Sequence, residues 1–357
     1  MNQRLNKLRD ILREKDCDAC LISGRANTIY FSGFTGTTSY LLVGMDKAWL
    51  VVDFRYTIQA REQVREGIEV IELEENFHST LNEIIKQCSI RIIGFEGLDI
   101  TVSEHSRIKT RLHKIKNFIN LEDQINRIRM IKEPEEIEQI QQAVLLGDKT
   151  FEHILKIIKP GVRETDISAE IEYKMKKLGA KGPSFESIIA AGHRSAMCHG
   201  TATENILKNG DAVVLDFGVI YHNYCSDMTR TIFIGEPKEE LKKIYEIVRK
   251  AQQAALDGIR AGMSGYSADK IARDIIKVSG YKDAFGHSLG HGVGIEIHED
   301  PRLSEKSEDT LKDGMVFSVE PGIYIEGLGG VRIEDMVVLV DGKVRNFTTS
   351  PKDMIIV

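Results

Sequence analysis

The 357-residue chain is poor in cysteine, holding five residues at Cys17, Cys20, Cys88, Cys198 and Cys225. An odd and scattered set excludes a disulfide framework and points to a reducing compartment, most simply the cytoplasm. There is no surplus of positive charge: 48 Lys+Arg against 54 Asp+Glu leave −6, so no overall field attracts nucleic acid or an anionic membrane. The basic stretch Arg107 to Lys116 reads as the solvated face of a helix. No apolar run approaches the ~20 residues that span a bilayer. The opening MNQRLNKLRDILREKD has helical periodicity through Leu5, Leu8, Ile11 and Leu12 and lacks the apolar core of a signal peptide. Short repeats and low-complexity segments are missing, as is a Gly-x-Ser-x-Gly nucleophile. The glycine-rich GFTGTTS and GLGGVR lack both the lysine of a phosphate loop and the order of a dinucleotide fold. Cys17-Asp-Ala-Cys20 has redox spacing, but it has no partner pair for zinc, and Asp18 disfavours a thiolate. Two half-buried strand residues account for it better.

What is present is an ordinary globular composition, 42% hydrophobic and 29% charged. The length exceeds the roughly 100–200 residues of one domain, so two are expected. From the start, DACLIS, SYLLVG, KAWLVVD, IEVIEL and RIIGFE read as strands, with helices near 56–66, 80–87 and 103–112. This α/β unit closes near NFINLED, giving an N-terminal domain of residues 1–125. Pro134 followed by Glu135 and Glu136 then opens a helix. In the second domain, 126–357, helices are expected at about 135–158, 165–178, 238–260 and 267–279. Strands are expected at about 187–191, 211–220, 225–234, 315–319 and 331–340. Hairpin-like strand pairs with helices grouped apart suggest α+β.

Several of these strands carry acids where a sheet prefers hydrocarbon. In VVLDFGVIYHNYCSDMTRTIFIG, a tight turn around Tyr221–Asn223 brings Asp216 and Asp227 onto one face. Such a pair is unfavourable unless one group is protonated or a cation lies between them; on this stretch alone, two solvated surface aspartates are the alternative. Glu320 in GMVFSVEPGIYI and Glu334 in GGVRIEDMVVLV interrupt further apolar runs. FGHSLGHGVGIEIHEDP supplies His287, His291 and His298 among glycines. Four carboxylates and an imidazole suit two divalent ions such as manganese, cobalt or zinc. Adjacent metals can activate water and stabilise an oxyanion, which predicts metal-assisted hydrolysis.

With these residues the chain resembles the pita-bread metallopeptidases (peptidase family M24), a group that includes methionine aminopeptidase, aminopeptidase P and prolidase. The likeness runs from ANTIYFSGFTG through IKEPEEIEQI to the five acid- and histidine-bearing segments. It implies a pita-bread catalytic domain behind a smaller creatinase/prolidase-like α/β domain. It assigns Asp216, Asp227, His291, Glu320 and Glu334 as ligands of two metal ions, with Asp227 and Glu334 bridging. Manganese is the first expectation and cobalt or zinc the alternatives. By the same matching Glu320 takes the proton of the attacking water, His199 and His298 contact the scissile carbonyl, and His287 lines the pocket. Thr229 is placed to hydrogen-bond a ligand carboxylate. Arg332 stands two residues before Glu334, so strand alternation points both side chains towards the site; a purely structural salt bridge is the alternative. Arg302, four residues after His298, resembles the prolidase arginine that grips a dipeptide's free carboxylate, which favours a dipeptidase; a surface arginine is the alternative. The implied reaction is cleavage before proline in Xaa-Pro dipeptides by a cytosolic homodimer. Aminopeptidase P action on longer peptides and a non-catalytic binding protein are the other candidates.

Overall fold

Leucines spaced three and four apart make one stripe of the first helix, α1 (Gln3–Glu14), and Leu5, Leu8 and Leu12 are all buried. The computed structural model describes residues 3–357, in two units, Met1–Arg129 and Met130–Val357. In the first, α1 is followed by β1 (Ala19–Ile22), α2 (Arg25–Ser32), β2 (Tyr40–Gly44), β3 (Ala48–Val52), α3 (Thr57–Gln63) and β4 (Glu69–Glu72). Then come α4 (Phe77–Gln87), β5 (Ile92–Phe95), α5 (Val102–Arg111), β6 (Asn117–Asn120) and α6 (Glu122–Met130). The strands form one mixed sheet in the order β4-β3-β2-β1-β5-β6. Leu21, Trp49, Val51 and Ile93 anchor a core beneath it. Cys17 precedes β1 and Cys20 lies in it, and both are buried where half-buried strand residues were expected; burial raises both thiols. Helix α2 was not foreseen. Asn27, Thr28 and Ser32 are poor helix formers, and its burial on nearly all sides leaves no polar face for periodicity to register.

The second unit begins at α7 (Pro134–Ile154), where Pro134 starts the helix and Glu133 and Glu136 form a capping box. It continues through α8 (Glu164–Lys177), β7 (Gly182–Pro183), β8 (Ile188–Ala191), β9 (Ala212–Asp216), β10 (Val219–Tyr221), β11 (Tyr224–Cys225) and β12 (Thr229–Phe233). Next are α9 (Glu239–Gly258), α10 (Gly265–Ile276), β13 (Gly290–Gly292), β14 (Glu299–Leu303) and β15 (Val316–Val319). The last elements are β16 (Gly322–Ile325), β17 (Gly329–Arg332), β18 (Asp335–Val340) and β19 (Lys343–Asn346). Two sheets position the site, one ordered β12-β9-β8 and the other β14-β13-β15-β18-β19. α9 and α10 share a core with β15 and β18 through Val248, Ala272, Phe317 and Val337. α7 and α8 pack on the β9–β12 hairpin through Phe151, Ile171, Leu215 and Ile232.

The long strands expected at 211–220 and 225–234 are each broken, at Phe217–Gly218 and at Ser226–Met228. The register nevertheless continues through the break. Tyr221 pairs with Tyr224 and Asp216 with Thr229, and Phe217 and Met228 exchange hydrogen bonds of 3.1 and 3.2 Å. His222 and Asn223 form the turn, both with positive φ (45° and 71°), as a two-residue hairpin loop requires. Asp227 therefore lies opposite Gly218, on the same face as Asp216. The strand expected at 331–340 is also two strands, with Ile333 and Glu334 between β17 and β18. Continuous alternation therefore does not relate Arg332 to Glu334. Strands β13, β14 and β16 were not anticipated, because their glycines and charged residues carry no apolar alternation.

On the other side of β12 from Thr229, Arg230 is 1% exposed and donates to Asp335 Oδ1 at 2.7 Å and to the carbonyls of Ser350 and Pro351 at 2.8 and 3.0 Å. Asp335 Oδ2 also accepts from Gln252, Asn346 and Lys352. Burial alone would raise this carboxyl, but the charges of Arg230 and Lys352 hold it below its ordinary value.

At the break the two strands approach closely. A Cβ on Gly218 would stand 1.9 Å from the Ser226 carbonyl oxygen, so Gly218→Ala must spread the strands that carry Asp216 and Asp227. We expect urea unfolding of this variant to show a loss of about 2 kcal/mol.

Candidate metal centre

Ten of the residues singled out above line one cavity of about 430 Å³: His199, Asp216, Asp227, His287, His291, His298, Arg302, Glu320, Arg332 and Glu334; Thr229 is buried behind it. Phe185, Glu186, Ile188, Cys198 and Ile297 complete much of its wall. Asp216 comes from the end of β9 and Asp227 from the break in the opposite strand. His291 comes from β13, Glu320 from just after β15, and Glu334 from between β17 and β18. Arg302 on β14 is the cross-strand partner of His291, which places both side chains on one face. Its guanidinium makes no ion pair with a carboxylate among the described residues, although its charge tends to lower Glu320 across the cavity.

Asp227, His291 and Glu334 converge most closely, each with a ligand atom within 4.8 Å of the others. His291 Nδ1 lies 3.0 Å from the Gly292 carbonyl, which can only accept, so that nitrogen carries the proton. The bare Nε2 then faces Glu320 Oε1 at 3.3 Å and Asp227 Oδ2 at 3.7 Å. The ring itself does not relieve this close approach by taking up a proton, since burial pushes the His291 imidazole down to about 3. Asp216 Oδ1, Asp227 Oδ1 and Glu334 Oε1 are buried and have no hydrogen-bond partner among the described residues. Burial and the neighbouring carboxylates hold Asp227 and Glu334 well above the ordinary range. Glu320 is pushed up to about 7 by burial and Asp216, against the opposing charge of Arg332. Unpaired oxygens beside a bare imidazole nitrogen are a donor set that fits divalent cations.

Arg332 binds the cage from behind. Its Nη2 donates to Asp216 Oδ2 at 2.5 Å and its Nε to Thr229 Oγ1 at 2.9 Å. Thr229 in turn donates to Glu334 Oε2 at 2.7 Å. The guanidinium is 4% exposed, so the structural ion pair is what this geometry supports. Arg332 Nη1 reaches Tyr324 Oη at 2.8 Å, and Tyr324 lies 2.9 Å from His287 Nε2. His287 Nδ1 faces the Ser288 carbonyl at 2.8 Å and carries the proton, so Tyr324 donates to Nε2. The sequence reading missed Tyr324. Its signal is the glycines around it, since a Cβ on Gly322 or Gly330 would meet the tyrosine side chain at 2.6 or 2.7 Å. Another missed pair is Asp269 and Arg273 on α10. Asp269 accepts from Leu289 N at 3.0 Å, and Arg273 donates to the carbonyls of Phe285 and His287 at 3.0 and 2.8 Å. Together they fasten the loop that leads to β13.

Residues 138–341 match metallopeptidase family M24, and residues 4–131 match the creatinase/prolidase N-terminal domain. The chain belongs to metallopeptidase family M24. It is 40% identical to the Xaa-Pro dipeptidase of Pyrococcus furiosus, covering 99% of this chain and 100% of that one. Among solved structures it is similar to an Xaa-Pro dipeptidase from Bacillus anthracis, with a TM-score of 0.96 and 41% identity over 99% of each chain. It is also similar to an X-Pro aminopeptidase from Thermotoga maritima, with a TM-score of 0.91 and 40% identity over 96% of this chain and 98% of that one. The expected architecture, a family M24 catalytic domain behind a smaller creatinase-type domain, is the one present. No helix among the described residues is long and apolar enough to cross a membrane.

Burial, with help from the Arg332 charge, pushes the His287 imidazole down to about 4, below the ordinary value of 6.5. Between these values the unfolded chain binds a proton that the folded M24 domain refuses, so stability falls as pH drops through this window. Relative to His287→Asn, the wild type should lose about 1.4 kcal/mol per pH unit within it, measured as the difference between two pH series of urea unfolding.

Proposed function

We propose that this M24 protein is a dimetal Xaa-Pro dipeptidase, with Asp216, Asp227, His291, Glu320 and Glu334 holding two divalent cations, manganese first among them and cobalt or zinc as substitutes. The observation that carries the reading is the convergence of Asp227, Glu334 and His291, with ligand atoms within 4.8 Å of one another, beside buried carboxylate oxygens that have no hydrogen-bond partner among the described residues. When bound, such cations acidify a water molecule and polarise a carbonyl.

The chain's own groups divide the remaining work. Glu320, pushed up to about 7, is suited to accept the proton of the attacking water and pass it to the proline nitrogen as that bond breaks. Ser318 steadies this carboxylate with a 3.0 Å hydrogen bond, and the same hydroxyl accepts from His291 N at 3.1 Å. His199 and His298 on the cavity wall are placed to donate to the oxyanion that develops on the scissile carbonyl. His287, held neutral and oriented by Tyr324, lines the proline side. Arg302, without an internal carboxylate partner, is available to bind the free carboxylate of a dipeptide. Relatives named Xaa-Pro dipeptidase at 40% and 41% identity support this substrate class. The X-Pro aminopeptidase among the similar structures favours the second reading, removal of one residue from a longer Xaa-Pro peptide.

The proposal extends to a homodimer, on the family resemblance, and to the cytoplasm, which free thiols at all five cysteines support. Light scattering that gives a monomer removes the first of these.

Chelated enzyme supplied with manganese should release proline from an Xaa-Pro dipeptide and leave an Xaa-Pro-Yaa tripeptide intact. Cleavage of the tripeptide makes it an aminopeptidase, and cleavage of neither defeats both readings. Asp227→Asn should lose metal and activity together, at least about 100-fold in kcat/KM; a metal-loaded, active variant defeats the ligand assignment. Because burial and the neighbouring carboxylates hold Asp227 and Glu334 above the ordinary range, manganese added to chelated protein should release protons and raise Tm, read by calorimetry in buffers of different ionisation enthalpy.

A further inference from the structure

His298 stands in a stretch without regular structure between β13 and β14, residues 293–298, yet its ring is set edge-on to His291 at 4.4 Å and 70°. Something other than a strand ladder must fix it. The next residue, Glu299, turns inward with its side chain 4% exposed. Its Oε1 accepts the backbone N–H of Glu296 at 3.1 Å, and its Oε2 accepts Lys132 Nζ at 3.0 Å. Gly294 lies against the same carboxylate, where a Cβ would meet Oε2 at 2.5 Å and Oε1 at 2.6 Å. One carboxylate thus gathers both ends of the segment that presents His298.

Lys132 is as unusual as its partner. Its side chain is 1% exposed, and its backbone N–H donates to the Gly314 carbonyl at 2.9 Å, which fixes its origin beside the start of β15. Burying an ammonium and a carboxylate costs several kcal/mol for each ion, and apolar side chains of the same volume would fill this space more favourably. An apolar pair could not aim the Glu299 carboxylate at the Glu296 N–H. Removing Lys132 takes away the 3.0 Å ammonium contact that aims Glu299 Oε2, so the carboxylate shifts and its hold on the segment loosens.

We propose that Lys132 is a positioning residue for His298, acting through Glu299 across the interior of the catalytic domain. The inference rests on the reading of His298 as a group that faces substrate. Lys132 touches no residue of the metal cage in the contacts described above, so its loss should leave metal loading intact and reduce kcat/KM by roughly 10- to 100-fold.

A double-mutant cycle on the full-length, manganese-loaded protein tests this. Lys132→Met should cause that loss in the wild-type background and a loss of less than about 3-fold when His298→Ala is already present. Metal content should be equal in all four proteins. An equal loss in both backgrounds, or no loss in either, overturns the proposal, because a general structural role would act whether or not His298 is there. If Lys132→Met does not fold, Glu299→Gln, which keeps the side-chain size, passes through the same cycle with the same criteria. If the wild type cleaves no Xaa-Pro peptide, the functional reading fails on its own. The positioning is then read from histidine ring signals of zinc-loaded protein by NMR, with His298 assigned by His298→Ala. The His298 signal should shift in Lys132→Met or Glu299→Gln while that of His199 stays; an unmoved His298 signal overturns the inference.

Discussion

Carboxylates buried within a few ångströms of one another must be protonated, paired with a cation or separated, and the second domain is organised around that constraint. Asp216, Asp227, Glu320 and Glu334 come from separate strand ends and breaks, so no single element bears the repulsion. Arg332 offsets part of it from behind, reaching Asp216 directly and Glu334 through Thr229. The unpaired oxygens all remain on the cavity side, where a cation can reach them. Carboxylates held by such opposed forces are sensitive to small displacements, which explains why so much of the surrounding structure consists of fasteners.

Those fasteners differ in kind. Gly218, Gly290 and Gly292 allow backbones to approach where any side chain would collide. Ser318 ties a histidine backbone to a glutamate side chain. Asp269 and Arg273 lie on a helix and grip the loop before β13 from outside the sheet. Each fixes the origin of a cavity residue without entering the cavity, so the cavity wall is left to Phe185, Ile188 and Ile297 and to the histidines.

Much of this was legible in the sequence because acids inside apolar strand patterns are conspicuous. Asp216, Asp227, Glu320 and Glu334 were found as violations of alternation, and the two-residue turn at His222–Asn223 gave the correct facing of the first two. The limits have equally physical causes. Strands such as Gly290–Gly292 and Glu299–Leu303 hold their place through backbone pairing and close approach, which leave no apolar period. The interruptions at Phe217–Gly218 and Ile333–Glu334 arise from contacts with distant chain, invisible to a local window. Helix α2 is buried on too many sides to show an amphipathic stripe. Lys132, Tyr324 and Arg273 acquire meaning only through partners 167, 37 and 14 residues away. Arg332 lines the cavity although it and Glu334 do not share the unbroken strand that alternation assumes.

Glu334 and Asp335 are neighbours in sequence that serve different masters, one turned to the cavity and the other to the buried cluster of Arg230, Gln252, Asn346 and Lys352. Thr229 and Arg230 divide in the same way on the facing strand. Because Asp335 opens β18 and Glu334 directly precedes it, a one-residue slip of β18 against β15 would turn both carboxylates out of place and disable both systems at once. Along this stretch a slip of register is felt by two charge systems together, whereas a substitution at either carboxylate alone strikes one of them first.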